Sequence, residues 1–218
     1  MLGASALCVA VILAIVLPQL CRVRRATTPA YASRNGLPDA AQVELPSVSV
    51  IVHTQSDCTN LRSLLPMLLE QQYPGAFEVI VVNDGGDEEV SNVVSYFDKQ
   101  FKNLYMTFSP ARSRNLSRRK LAITLGVKAA RYDNVLLIDG NCRLVSELWL
   151  RRMMRHIAGG KEIVVGYGYT VSSKRDDAQR HRLMSYDTVR TAVQYLSSAL
   201  SGNLYRAYSC NFAFKRQL

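Results

Sequence analysis

The chain has 218 residues, 48% of them hydrophobic, and a formal net charge of +10. That length holds one ordinary domain plus a terminal appendage, and the hydrophobic fraction excludes wholesale disorder. The positive balance points to an anionic partner: nucleic acid, an acidic lipid surface or a phosphorylated substrate.

From Met1 to Leu20 no residue is charged, and Arg22, Arg24 and Arg25 follow. The apolar run is about as long as a bilayer core asks of a helix, roughly 20 residues. A cleaved signal peptide places its positive charges before the apolar stretch and a small-x-small site after it; here the positives follow and no such site precedes them. The asymmetry predicts a retained single-pass anchor over residues 1–21. By the positive-inside rule its N-terminus points out and the following domain is cytoplasmic. Residues 22–46 read as a linker with Pro29, Gly36, Pro38 and Pro46. Its basic start can rest on anionic headgroups.

The domain proper spans residues 47–218. Val48–Val52 is a β-branched run that suits a strand buried on both faces. Asn60–Gln71 follows as a helix, with Leu61, Leu64, Leu65, Leu68 and Leu69 at helical spacing, stopped by Tyr73-Pro74-Gly75. Phe77–Val82 is a second buried strand, ending in the turn cluster Asn83-Asp84-Gly85-Gly86. A helix is predicted over Asp87–Lys99, with acidic residues favourable in its first turn, and a short strand over Leu104–Phe108. Ser113–Arg131 reads as a helix whose apolar side is Leu116, Leu121, Ile123, Leu125 and Val127. Val135–Ile138 is a strand running into Asp139-Gly140-Asn141. Ser146–Ile157 is helical and leaves through Gly159-Gly160. Ile163–Val165 is a strand, Tyr186–Leu200 a helix, and Ala207–Phe214 a last strand. Strands alternating with helices predict an α/β domain with a largely parallel sheet, whose ligands bind beyond the carboxyl ends of the strands.

Three strands end in polar residues: the first at Thr54, the second at Asp84, the fourth at Asp139. In a parallel sheet these tips share one edge. A carboxylate there can accept hydrogen bonds from a base or ribose, or hold a divalent cation that bridges phosphates. Each aspartate alone is equally a turn former. Arg112, Arg114, Arg118, Arg119 and Lys120 form a basic stretch at the start of the helix before Asp139. It is either a partner for a pyrophosphate or a solvated face. No aromatic platform or motif supports nucleic-acid binding. His53, His156 and His181 have no partners at metal-site or triad spacing, and the lone Trp149 reads as packing. Cys8, Cys21, Cys58, Cys142 and Cys210 are widely spaced without a C-x-x-C, which argues for reduced thiols over a disulfide framework or a zinc site. The glycosylation sequon at Asn115 is idle on a cytoplasmic side.

Taken in order and at these intervals, four segments resemble the inverting family-2 glycosyltransferases of GT-A fold. They are SVSVIVHTQSD, LRSLLPMLLEQQYP, FEVIVVNDGGDEE and RRKLAITLGVKAARYDNVLLIDGNCRLVSELW. A looser similarity continues through GYGYTV, TVRTAVQYLSSAL and SCNFAFKRQL, the last like the family's acceptor-side strand. The resemblance implies transfer of a sugar from a nucleotide-diphosphate sugar to an envelope or lipid-linked acceptor. It places Thr54 and Asp84 at the nucleoside and Lys120, with Arg119, near the diphosphate. Asp139 and Asn141 fall at the first and last places of the metal-binding D-x-D, for Mg2+ or Mn2+. Two departures stand out. His53-Thr54-Gln55-Ser56 replaces the commoner P-T-Y-N, and Asn141 is a neutral oxygen donor where the family has a second acid, which weakens cation binding. The family's catalytic carboxylate lies beyond the acceptor-side strand, and the sequence ends at Leu218 just after it. Asp176 and Asp177 lie before that strand, in a polar loop. The resemblance therefore implies a C-terminally truncated, donor-binding half with no assigned catalytic base. A degenerate nucleotide-sugar-binding relative is the alternative.

Overall fold

The computed structural model describes residues 2–26, 44–55, 58–110, 117–169, 171, 178–200 and 210–217. In chain order these form α1 (Leu2–Ala26), β1 (Val48–Thr54), α2 (Cys58–Leu69), β2 (Phe77–Asp84), α3 (Glu88–Asp98), β3 (Leu104–Ser109) and α4 (Arg118–Ala129). They continue with β4 (Asn134–Asp139), α5 (Trp149–Ala158), β5 (Ile163–Val165), α6 (Ala178–Leu200) and β6 (Asn211–Lys215). The six strands make one sheet in the order β3-β2-β1-β4-β6-β5. β1 pairs in parallel with β2 and β4, and β2 with β3. β6 runs antiparallel to both β4 and β5, so the sheet is mixed.

β1, β2 and β4 are continuous apolar runs, and both of their faces are covered. Val48, Val50, Val52, Val79, Val81, Leu136 and Ile138 point to one face, under α2, α3 and α5. Their neighbours Ile51, Ile80, Val82, Val135 and Leu137 point to the other, under α4 and the rings of Phe212 and Phe214. This is the period-two alternation of a strand, repeated in register across the sheet.

α4 packs differently from its sequence pattern. Ala122 and Gly126 are its buried residues, with Ile123 and Val127 only partly covered. A Cβ on Gly126 would lie 2.5 Å from Ile51 Cγ2 and 2.9 Å from Val82 Cγ2. The helix therefore makes its closest approach to the sheet with its smallest residues; of the expected apolar side, Ile123 and Val127 also pack against this core, and Leu121 and Leu125 are half-buried. Ser117 caps α4 by accepting a hydrogen bond from the Lys120 N–H, which starts the helix at Arg118. Residues 113–116 of the predicted helix lie outside the described residues.

α6 begins at Ala178, eight residues before the predicted start at Tyr186. The added turns, AQRHRLMS, lack apolar periodicity but contain good helix formers and no breaker. α5 starts at Trp149 because the Ser146 hydroxyl accepts from the Leu148 N–H and holds a turn there. Gly160, at φ +87°, carries the exit from α5. The last strand begins at Asn211; positions 207–209 lie outside the described residues, as do residues 27–43 of the linker.

The chain divides into two compact units. One holds the sheet with α2 to α5. The other holds α1, which packs along α6, together with Tyr167, whose hydroxyl donates to the Thr188 carbonyl of α6 (3.2 Å). Among the described residues no helix is long and apolar enough to cross a membrane. The described side chains of α1 begin at Leu7, and Val9, Val11, Ile12, Leu13, Ile15, Val16, Leu17 and Leu20 among them are exposed.

Candidate active site at the carboxyl edge of the sheet

The register of the parallel strands sets the site. Thr54 of β1 lies opposite Asn83 of β2, His53 opposite Asp139 of β4, and Asp84 opposite Ser109 of β3. Thr54, Asp84 and Asp139 thus share the carboxyl edge. The strands end there for identifiable reasons. Asn83 ties the turn by accepting from the Asp87 N–H (2.9 Å) and donating to its carbonyl (2.8 Å). Asp87 then caps α3 by accepting from the Glu89 and Val90 N–H groups. After β4, Asp139 Oδ1 accepts from the Asn141 N–H (3.2 Å), and the Gly140 N–H donates back to the His53 carbonyl (2.7 Å). A Cβ on Gly140 would meet Thr54 Oγ1 at 2.9 Å, so the turn lies directly on the tip of β1.

Asp84 is almost wholly buried, at 1% exposure, and is held from two sides. Arg118 reaches it from the first turn of α4, with Nε and Nη2 each 3.3 Å from Oδ1 and Nη2 3.1 Å from the main-chain carbonyl. His53 Nε2 lies 3.4 Å from Oδ2. A carboxylate only accepts, so this contact places a proton on Nε2. Among the described residues, His53 Nδ1, Thr54 Oγ1 and Ser109 Oγ are buried without a hydrogen-bond partner; His53 and Ser109 adjoin Asp84, and Thr54 Oγ1 faces the Gly140 turn. Buried polar atoms without partners are uncommon, and three along this carboxyl edge mark a place suited to meet polar atoms of something else.

Asp139 is more open. Its Oδ2 pairs with Arg119 Nη2 at 2.7 Å, and that arginine is 45% exposed. Asn141 is exposed beside it. Lys120 is exposed in the first turn of α4, and only its main chain takes part in the cap. The donor set, one carboxylate and one amide oxygen, is of the kind that suits a hard cation. Among the described residues no group of three or more His, Cys, Asp or Glu could hold a metal ion.

Five residues enter this neighbourhood that the sequence motifs do not single out. Arg118, within the basic stretch, is the one that clamps Asp84. His53, without a partner at motif spacing, finds it 31 residues away across the sheet. Cys142 and Cys210 meet where the turn after β4 passes the start of β6, the Cys142 thiol 3.9 Å from the Cys210 carbonyl. The hydrogen bond between the two thiols, then burial, pushes Cys142 up. The same hydrogen bond lowers Cys210 to about 7, with burial opposing it. Trp149, besides packing, donates its indole N–H to Asn211 Oδ1 (3.2 Å). The common reason is that each contact depends on register between distant strands, which no local pattern carries. Arg112, Arg114, Asn115, Ser56, Asp176 and Asp177 lie outside the described residues. A groove of about 460 Å³ lined by Arg62, Asn92, Val93, Tyr96 and Phe97 belongs to the helical layer and contains none of the site residues.

A mixed α/β sheet with flanking helices, two aspartates at its carboxyl edge and arginines at the facing helix N-terminus match the GT-A fold. A mannosyltransferase, PcManGT from Pyrobaculum calidifontis, solved in complex with GDP-Man and Mn2+, superposes with a TM-score of 0.59 at 20% identity, over 97% of this chain and 56% of that one. The family model for glycosyl transferase family 2 matches residues 47–218, and the chain belongs to that family. Among characterised relatives, glycosyltransferase AglE of Haloferax volcanii is 23% identical over 164 residues, 74% of this chain and 52% of its own. Chondroitin synthase of Escherichia coli is 22% identical over 165 residues, 74% of this chain and 22% of its own. The chain thus spans about half the length of the first relative and less than a quarter of the second.

Proposed function

We propose that this chain binds a nucleotide-diphosphate sugar at the carboxyl edge of its sheet and contributes to transfer of the sugar to an envelope or lipid-linked acceptor. The observation that carries the reading is the preformed pair of tips. Asp84 and, along the same edge, His53 Nδ1, Thr54 Oγ1 and Ser109 Oγ, which have no partner among the described residues, offer polar contacts to a nucleoside. Asp139, with Arg119 and Lys120 on α4, offers charge to a diphosphate. Asp139 and Asn141 would hold Mg2+ or Mn2+, which would supply positive charge to offset that of the diphosphate. Arg119 and Lys120 supply further positive charge at the same place. In the inverting displacement that the family resemblance implies, an acceptor hydroxyl attacks the anomeric carbon. The diphosphate departs with the electrons of the broken C–O bond, and the hydroxyl proton passes to a base. No residue of this chain is assigned as that base.

The chain is further proposed to sit on the inner face of a membrane, anchored through α1. Support comes from the uncharged run Met1–Leu20, the arginines after it and the exposed apolar side chains of the helix. Carbonate extraction tests this part, and release of the full chain into the soluble fraction refutes it.

Titration calorimetry with UDP and GDP, with and without Mn2+, tests the site. The expected result is binding of one nucleotide that Asp84→Ala and Asp139→Ala each weaken. Unchanged affinity in both folded variants removes the assignment. A second reading, a nucleotide-sugar-binding relative without turnover, is favoured by Asn141 in place of a second acid. Donor hydrolysis by the nucleotide-binding chain excludes it.

A further inference from the structure

Most of the large apolar side chains exposed on the described residues belong to the helical unit, and they are not confined to α1. On the first half of α6, Leu183 (63% exposed), Tyr186 (65%) and Val189 (61%) are spaced three residues apart and form one stripe. Arg182 and Arg190 project along the same stripe by helical spacing. Arg190 also pairs with Asp187 at 2.9 Å, an exposed pair that leaves its stem beside Val189. The segment Ala178–Leu200 carries three arginines against that one aspartate. The other side of the helix is already used. Thr191 and Tyr195 are buried, Tyr195 meets the ring of Tyr167 edge-on at 6.4 Å, and the Thr188 carbonyl accepts from Tyr167.

We propose that the Leu183–Tyr186–Val189 stripe of α6, with Arg182 and Arg190, lies on an anionic lipid surface. Three features select this occupant. The stripe joins an aliphatic pair to a tyrosine, whose amphipathic ring suits the headgroup boundary. Its flanking charges are arginines, which complement phosphate headgroups and can extend while their stems stay with the apolar residues. α6 also packs along α1 within one compact unit, which holds it beside the helix proposed as the anchor. The proposal rests on that membrane placement and adds a second, shallower contact to it. α6 then lies in the interface and does not cross it, because its charges and exposed polar residues recur through its first three turns.

The test uses the full chain with Leu183→Trp, reconstituted in vesicles of phosphatidylcholine alone or mixed with phosphatidylglycerol. Some lipids are brominated near the headgroup, and the parent chain, which contains only Trp149, sets the background. The expected result is bromine quenching of the new tryptophan in the anionic vesicles, stronger than in the zwitterionic ones. Arg182→Ala and Arg190→Ala should each lower the docked-to-undocked ratio about fivefold. Chain that resists carbonate extraction while the tryptophan at position 183 stays unquenched leaves the anchor standing and overturns the proposal. Equal quenching in both vesicles overturns the choice of an anionic surface. A crosslinked pair of chains that shields position 183 without quenching assigns the stripe to a second copy, and also overturns it.

Discussion

The two acidic tips of the sheet are built to different standards. Asp84 is buried, both of its oxygens are engaged, and its partners come from β1 and α4. Asp139 is 18% exposed at its side chain, and its one charged partner is a half-exposed arginine. The difference suits the two tasks proposed for these tips. A group that recognises a base must hold one orientation before the ligand arrives, and packing and paired donors supply that order in advance. A group that meets a diphosphate and its cation must exchange partners during turnover, so a solvent-screened contact of small net value suits it.

Removing the buried tip should have the largest effect. Asp84→Ala leaves Arg118 and His53 facing a space with no acceptor, and Arg118 is partly exposed and can recover some hydration. A loss of about 2–3 kcal/mol in a urea unfolding curve is expected, with nucleotide binding abolished in the folded fraction. A loss below that range with binding intact would erase the distinction between the tips. Gly126→Val comes next. The added methyl groups meet Ile51 and Val82, push α4 off the sheet and should cost about 2 kcal/mol. Because α4 carries both Arg118 and Arg119, this one change should loosen both tips together, which nucleotide titration and unfolding would show side by side.

The hierarchy of tips was only partly legible in the sequence. The continuous apolar runs of β1, β2 and β4 and the polar residues closing them were readable, because a strand buried on two faces has few alternatives in composition. So were the exits at Tyr73-Pro74-Gly75 and Gly160. The face of α4 was legible only in part, at Ile123 and Val127. Its closest approach is made by Ala122 and Gly126, and a search for large apolar residues passes over small ones that let a backbone come near. The choice between Arg118 and Arg119 was not legible. Consecutive arginines on a helix point about 100° apart, and only the cap at Ser117 fixes which faces Asp84 and which faces Asp139. The antiparallel entry of β6, which brings Cys210 and Asn211 to the same edge, depends on pairing across more than 70 residues and leaves no local mark.

Arg119→Ala should move stability by less than about 1 kcal/mol, as for an exposed ion pair. Its effect should appear in cation dependence. With the guanidinium gone, Asp139 is no longer shared, and the concentration of Mn2+ needed for half-maximal nucleotide binding should fall. A variant that instead unfolds as readily as Asp84→Ala would show that the open tip is as structural as the buried one.

The smallest effect offers the finest view of the open tip. Cys210 sits close enough to Asp139 and Arg119 that the carboxylate pushes its ionisation up and the guanidinium pulls it down, beneath the dominant hydrogen bond from Cys142. Its pKa is lowered from 9.0 to about 7, so the folded state favours the thiolate. The stability gained is full above the unfolded value and disappears as pH falls through the folded one. Only the thiolate attacks iodoacetamide, so alkylation of Cys210, followed peptide by peptide, should rise through about pH 7. Cys142→Ala removes the principal donor and should move that midpoint furthest up. Arg119→Ala should move it up by less, and Asp139→Asn should move it down. Opposite shifts from the last two variants would locate the charge pair at the mouth of β6. Shifts of the same sign would mean that substitutions at the open tip reorganise the turn after β4, making its partners as fixed as those of Asp84.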